Sequence, residues 1–256
     1  MIPLRVRLHR EYNRWYQWLL RLSWGIQGKD APRVYMFHSV VDTKEQVYSQ
    51  FAITKKSFER FIEHIVAQRQ KAMDADILSN AINNPSQYLN HYCVTFDDIY
   101  DTVYTNAYPV LKKYHIPFVI FVTDELVGKV DPWSKMSMIS EEHLRIMLAD
   151  PLCILASHST KHKMFRNYTH AEAVTALVDS KRILAEKYGC EIDLFAFPFG
   201  RRVEVSDDAI RCVKEAGYKY GFSALDGSLK QYWLSGRYFW PRVLVGEDYV
   251  KKELEK

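Results

Sequence analysis

Two adjacent carboxylates, Asp97 and Asp98, directly follow the strand-forming residues Val94, Thr95 and Phe96. A strand interior does not accept two charges, so the pair predicts the end of a strand. Neighbouring residues of an extended chain point to opposite sides, and we therefore expect one carboxylate to bind a metal while the other handles protons. The alternative is a strand-to-helix junction at which Asp98 or a later aspartate caps the next helix.

Two imidazoles four residues apart, His158 and His162, follow a short apolar segment at residues 153–156. If this loop forms a helical turn, both rings reach a common point. With one carboxylate they make a three-ligand site with a fourth position open to water, which is typical of catalytic zinc. Cobalt, nickel, iron or manganese accept the same ligands. The alternative is a polar surface loop, because two histidines at this spacing also occur by chance.

The segments that must position these residues alternate between strand and helix over residues 34–245, which predicts a parallel sheet. The carboxyl edge of such a sheet is where sites are built, and the acidic and imidazole residues fall there. Strands are predicted at residues 33–41, 94–96, 116–122, 153–156, 194–200, 220–224 and 238–245. Helices are predicted at residues 57–73, 102–115, 141–148 and 171–187, with another opening at Ser206.

Composition limits the class of protein and its compartment. A chain of 256 residues with 48% hydrophobic and 26% charged residues has the make-up of an ordinary globular protein. Its four cysteines form no CxxC pair, so neither a zinc ribbon nor a disulfide framework is indicated. Arginines interrupt the N-terminal segment, which lacks the apolar core of a signal peptide. These features predict a cytoplasmic protein.

Residues 1–32 predict a basic amphipathic helix ahead of the main domain at residues 33–256. Residues 1–33 carry a net charge of +5, so the remainder, at −1, gives no argument for a nucleic-acid groove. The helix suits either the inner, anionic membrane surface or packing on protein, through residues 4–22. Its apolar face comprises Leu4, Leu8, Tyr12, Trp15, Trp18, Leu19 and Leu22, beside Arg7, Arg10, Arg14 and Arg21.

Three segments together resemble the first motifs of the polysaccharide deacetylases, carbohydrate esterase family 4, the NodB-homology domain. They are residues 95–98, residues 158–162 and residues 195–200, the last reading Phe-Ala-Phe-Pro-Phe-Gly, and the resemblance extends over roughly residues 33–245. It implies a distorted (β/α)7-type barrel. It also implies a metal-dependent hydrolase that removes N-acetyl groups from an N-acetylamino sugar in a polysaccharide or glycan precursor.

The same resemblance implies a role for each matched residue. Asp98, His158 and His162 would bind one divalent metal, with zinc as the default. Asp97 would be the general base. Phe199, in the Pro-aromatic-Gly motif, would supply a backbone donor to the oxyanion.

The general acid departs from the commonest family pattern. Most members take it from a Leu-x-His motif near the C-terminus, but no histidine follows His170. A subgroup with rearranged motifs has a strand ending in an aromatic-His pair, matched by Phe37 and His38, and a late Pro-Arg pair, matched by Pro241 and Arg242. His38 is therefore the predicted acid.

Two more positions differ from the family pattern. Ala196 stands where an arginine often opens the third motif, so we expect Arg242 to orient Asp97 instead. Ile99 stands where a glycine usually follows the two aspartates.

Tyr100, Pro198 and Trp133 are the candidate substrate-binding residues. Two other functions fit the residues: a catalytically degenerate carbohydrate-binding domain, and an amidohydrolase acting on a non-carbohydrate amide. The remaining histidines are interpreted as structural or surface residues: His9, His64, His91, His115, His143 and His170.

Overall fold

A computed structural model describes residues 30–231 and 236–255. The predicted N-terminal helix lies outside these residues, so the domain boundary at residue 32 stays a prediction. Among the helices that are described, none has the length and apolar character needed to cross a membrane.

Seven parallel strands close into a barrel, as predicted. The closure comes from β1 (Arg33–Phe37), which pairs with β5 (His91–Asp97) on one side and with β10 (Trp240–Leu244) on the other, so the sheet returns to its first strand. The barrel strands are β1 (Arg33–Phe37), β5 (His91–Asp97), β6 (Phe118–Val122), β7 (Cys153–Ser157), β8 (Leu194–Ala196), β9 (Tyr220–Asp226) and β10 (Trp240–Leu244). Short strands β2 (Ser39–Val41) and β3 (Ala52–Thr54) pair with each other, and β4 (Lys71–Ala72) pairs with the start of β5.

Helices surround the barrel, and five of the seven described here begin at a polar cap, of which the sequence predicted the one at Ser206. They are α1 (Lys55–Ala67), α2 (Ala75–Asn83), α3 (Tyr108–Lys113), α4 (Glu141–Leu148), α5 (His170–Tyr188), α6 (Asp207–Glu215) and α7 (Glu247–Leu254). Thr54, Asp74, Ser140, Thr169 and Ser206 each accept a backbone N–H of the first turn.

The alternation of side chains along each strand separates two apolar regions. On β5, Val94 and Phe96 point outward and pack against the helices, whereas Cys93 packs inside the barrel. Thr95 and Asp97 share the inward face with Cys93 and are buried. The barrel interior is therefore apolar in its lower layers and polar at its carboxyl rim.

Four predicted elements differ from the structure. The helix predicted at residues 57–73 ends at Ala67, and residues 71–72 form β4. The segment at residues 33–41 is two strands, because His38 leaves the barrel sheet and β2 joins a separate pair. The helix predicted at residues 102–115 opens as a wider π-helical turn, Val103–Ala107, before α3. The strand predicted at residues 194–200 stops at Ala196, where the chain turns through Phe199 and Gly200, both at positive φ.

Candidate active site

The carboxyl rim of the barrel holds a cavity of about 430 Å³. Residues two apart on a strand share a face, so the inward-facing positions of the strands bring four side chains to this cavity. They are Met36 on β1, His38 just after β1, Asp97 on β5 and His158 just after β7. Loop residues complete its wall: Asp98, Tyr100, Trp133, His162 and Phe199.

Asp97 is held by Arg242 of β10, which lies on the other side of β1 from β5. The Arg242 Nη1 and Nη2 atoms lie 2.7 Å from Asp97 Oδ1 and Oδ2, while Arg242 Nε donates to the Ser223 carbonyl at 2.8 Å. The guanidinium side chain has no solvent exposure and also lies over the Phe121 ring. Its two parallel hydrogen bonds fix the plane of the carboxylate.

Arg242 reaches this position because it shares the inward face of β10 with Trp240, whose side chain packs inside the barrel. The register between β10 and β9 shifts here, since Trp240 pairs with Phe222 and Arg242 with Asp226, so the extra residues lie on β9. The structure therefore places Arg242 beside Asp97, as the sequence predicts, and behind the cavity wall.

Asp98 turns towards the same cavity by a different route. The strand parity alone would point it away from Asp97, but its φ of 63° places it in the left-handed region and ends the strand abruptly. Its Oδ1 atom lies 3.0 Å from His162 Nε2 and 3.5 Å from His158 Nε2. The two carboxylates thus meet different partners, as expected, although they share one cavity.

The His158–His162 loop differs from its predicted form. It contains no helical turn; instead Ser159 and His162 adopt left-handed conformations, with φ of 70° and 47°. The two imidazole rings still converge, with centroids 5.2 Å apart. Bends rather than helical spacing therefore bring the histidines together.

The chemistry of the three residues fits a metal ion. In tetrahedral zinc sites the nitrogen and oxygen ligands stand about 3.4 Å apart, given bonds of about 2.0–2.2 Å. Asp98 Oδ1 is buried without a hydrogen-bond donor among the described residues, although two imidazole nitrogens face it. Such an orphaned acceptor costs free energy unless a cation satisfies it.

One of the two imidazoles is also oriented for a metal. His158 Nδ1 lies 2.8 Å from the Ala196 carbonyl, which favours the tautomer whose Nε2 lone pair faces Asp98. Ala196 thus contributes its backbone where the family often has an arginine side chain.

The protonation of the rim follows from burial and charge. Burial alone would raise the pKa of Asp97, but Arg242, His158 and His38 lower it below its usual value. Burial lowers the pKa of His158 to about 4 and also lowers the pKa of His38. For His162, Asp98 outweighs burial and raises the pKa. At neutral pH the rim therefore offers an ionised Asp97 and neutral imidazoles at His38 and His158.

Comparison with known proteins identifies the family. The family model described as polysaccharide deacetylase matches residues 89–221, which is half of the chain. The chain belongs to the polysaccharide deacetylase family. The predicted resemblance is thereby confirmed.

Individual polysaccharide deacetylases resemble the chain over different extents. A poly-beta-1,6-N-acetyl-D-glucosamine N-deacetylase of Staphylococcus aureus is 31% identical over 163 residues, 60% of this chain and 54% of that protein. The chain thus spans about half the length of this relative. IcaB from Ammonifex degensii matches with a TM-score of 0.75, 24% identity, and 90% and 97% coverage of the two chains. Streptococcus pyogenes deacetylase PplD matches with a TM-score of 0.71 and 19% identity, and the match covers 90% of this chain and 98% of PplD. These structural matches establish the barrel fold.

The predicted substrate-binding residues lie at different depths in this deacetylase barrel. Trp133 is 67% exposed at the cavity mouth, with its ring centroid 5.9 Å from that of His162 and 6.2 Å from that of Phe199. Tyr100 is buried in the wall. Pro198 is buried but does not line the cavity; its carbonyl accepts the Gly200 N–H.

Sequence reasoning missed Asp131, which organises the loop that carries Trp133. This buried carboxylate accepts the backbone N–H and the hydroxyl of Ser134 at 2.7 and 2.5 Å, and the Tyr100 hydroxyl at 3.3 Å. The segment Asp-Pro-Trp-Ser has a turn signature that could have indicated this aspartate. Tyr48, Phe51 and Arg201, which also line the cavity, lie in loops without such a motif.

Replacing Arg242 with Met leaves Asp97 as an uncompensated buried charge. We expect urea unfolding of the metal-free protein at pH 7 to show a loss of about 3–5 kcal/mol. A double variant with Asp97→Asn as well removes the charge and should recover most of this stability. No recovery would mean that Arg242 acts by packing alone.

The same pair predicts how stability changes with pH. In the wild type the lowered pKa of Asp97 means that its stabilisation is present above the unfolded value of about 3.9 and is lost as pH falls through the lower folded value. In Arg242→Met, burial raises the pKa of Asp97, so the free-energy cost of burying its charge disappears as pH falls through the raised value. The difference in unfolding free energy between the wild type and this variant should therefore become smaller between pH 7 and pH 4.

Replacing Asp98 with Asn should remove one tightly bound divalent metal ion per chain. The amide keeps the shape but loses the charge that faces His158 and His162. Mass spectrometry of protein purified without chelator or affinity metal measures the content. Asp101→Asn is the matched control, because Asp101 bonds His143 at 2.6 Å and does not line the cavity. Equal metal content in the two variants would contradict the assignment.

Proposed function

We propose that the protein is a metal-dependent N-deacetylase acting on an N-acetylamino sugar within a polysaccharide. The observation that carries this proposal is the pairing, in one cavity, of a carboxylate clamped by Arg242 with the donor set of Asp98, His158 and His162. The name of the Staphylococcus aureus relative supports poly-beta-1,6-N-acetyl-D-glucosamine as the substrate to test first.

Asp98, His158 and His162 would hold the ion, with zinc favoured by two nitrogen ligands and one oxygen ligand. When bound, a divalent ion supplies Lewis acidity, which polarises an amide carbonyl and makes water more acidic. The remaining chemistry belongs to the side chains around it.

Asp97 acts as the general base. Arg242 keeps it ionised and occupies one lone pair on each oxygen, which leaves further lone pairs to accept a proton. As water attacks the acetyl carbon, Asp97 takes the proton that water releases. The backbone N–H of Phe199, beside the cavity, donates to the oxygen on which negative charge develops.

His38 acts as the general acid. The amine nitrogen must gain a proton as the C–N bond breaks and acetate leaves. Burial keeps the free imidazole neutral, so His38 needs a proton before it can donate one. Asp97 interacts electrostatically with His38 and holds the proton taken from water, so one proton passes from base to acid within the same turnover.

Trp133 and Tyr100 complete the proposed site as a sugar-binding wall. The exposed indole offers an apolar face on which a pyranose ring can stack, and its polar N–H can remain solvated. Tyr100 supports this wall through Asp131.

Acetate release from soluble N-acetylglucosamine oligomers tests the proposal. Asp97→Asn and His38→Ala should each lower kcat/KM by about 10²- to 10⁴-fold, with metal content near that of the wild type. Asp179→Asn, an exposed change on α5, is the control. Retention on a glycan column without acetate release would favour the degenerate binding domain. Release only from a non-carbohydrate amide would favour the amidohydrolase.

We also propose that the protein is cytoplasmic and that residues 4–22 bind the anionic inner face of the membrane. Each arginine near such a surface contributes about 1 kcal/mol. Changing Arg7, Arg10, Arg14 and Arg21 to Gln should therefore move the protein from the vesicle fraction to the buffer in sedimentation with phosphatidylglycerol vesicles. Neutral phosphatidylcholine vesicles are the control. An unchanged distribution would favour packing of this segment on protein.

A further inference from the structure

A second cluster of metal-ligating side chains lies outside the cavity, between the start of α5 and helix α6. His170 is the first residue of α5, while Asp208 and Cys212 lie one turn apart on α6. Each offers a ligand atom, and these atoms all lie within 4.8 Å of one another. None of the three lines the active-site cavity.

The distances within the cluster resemble the edges of a tetrahedral site. His170 Nδ1 lies 3.5 Å from Cys212 Sγ and 3.1 Å from Asp208 Oδ2. Ordinary zinc bond lengths predict edges of about 3.5 Å between nitrogen and sulfur and about 3.4 Å between nitrogen and oxygen. The side chains are therefore placed so that small shifts would bring all three onto one ion.

The outer contacts of the cluster orient its ligands. His170 Nε2 lies 3.0 Å from Glu215 Oε2, which leaves Nδ1 as the inward atom of the ring. Asp208 Oδ1 accepts a hydrogen bond from Arg211 Nη2 at 2.9 Å, and Asp208 Oδ2 faces the imidazole. A carboxylate on the far nitrogen of a ligating histidine is the arrangement that orients imidazoles in metal sites.

An ion pair explains only part of this cluster. An imidazole bridging Asp208 and Glu215 accounts for both carboxylates, and the Cys212 thiol has the His170 carbonyl as an acceptor at 3.9 Å, but the shorter approach of Cys212 Sγ, 3.5 Å, is to the nitrogen that already faces Asp208. A single N–H on His170 Nδ1 cannot form good hydrogen bonds to both Asp208 Oδ2 and Cys212 Sγ. A cation at the centre would use all three atoms.

We propose that His170, Asp208 and Cys212 form a second, structural site for a divalent cation of the zinc class. One thiolate, one imidazole and one carboxylate make a borderline-soft donor set, which suits zinc and cobalt better than magnesium or calcium. Cys212 is buried, whereas His170 and Asp208 are about half exposed, so the fourth position faces solvent. The ion joins α5 to α6, which pack against each other.

Cobalt titration of the full-length, metal-stripped protein tests the site in an Asp98→Asn background, which removes the proposed active-site metal. Burial raises the pKa of the Cys212 thiol to about 11, so thiolate absorption at neutral pH reports metal binding. We expect one equivalent of cobalt to produce a thiolate-to-metal charge-transfer band that zinc then abolishes. Cys212→Ser should eliminate the band, and Cys190→Ser, which changes an exposed thiol, should leave it intact.

Two surface variants keep the test valid if Cys212→Ser fails to fold. Glu215→Gln should weaken cobalt binding by about 10- to 100-fold through the imidazole. Asp208→Asn should weaken it by at least that factor, and zinc should raise Tm in the parent but not in this variant. Absence of the band in the parent, its persistence in Cys212→Ser, or unchanged affinity in Asp208→Asn would leave a plain ion pair and overturn the proposal. These readouts do not depend on deacetylase activity.

Discussion

The bidentate ion pair between Arg242 and Asp97 is the interaction on which the candidate site depends. Both side chains are removed from water, so each ion is tolerable only while the other is in place. The pair joins β5 to β10, the two strands that flank β1, and Thr95 and Ser223 add hydrogen bonds to the guanidinium. The ionisation of the proposed base and the orientation of its carboxylate are thus aspects of one contact.

The sequence predicted the parts of the site that follow from strand parity and family motifs. Asp97 ends β5, His158 follows β7 and Arg242 lies within β10, and the inward register of each strand fixes the direction of the side chain. Asp98 and His162 converge through left-handed residues, which strand parity and helical spacing could not predict. Asp131 was missed because it belongs to no family motif; its contact with Ser134 is a local turn, whereas its contact with Tyr100 depends on tertiary packing.

Backbone strain accumulates around the cavity. Asp98, Ile99, Ser159, His162 and Phe199 all have positive φ, and Ile99 is β-branched, for which this conformation is an outlier. Ile99 is fully buried, and its carbonyl accepts the Ile139 N–H, so packing holds the turn that a glycine commonly provides in the family. Strain of this kind persists where surrounding contacts over-determine a conformation. The packed barrel therefore maintains the arrangement of the proposed metal ligands.

The position of Arg242 in the last barrel strand also has a consequence for biosynthesis. It follows Asp97 by 145 residues, which at ordinary translation rates of about 5–20 residues per second amounts to a delay of about 7–30 s. During that interval the nascent chain contains Asp97, and later His158 and His162, but it lacks the Arg242 guanidinium that allows Asp97 to be buried as an anion. The ribosome must therefore synthesise almost the whole barrel before the proposed catalytic rim can assemble, and shorter nascent chains lack the pair of Arg242 and Asp97.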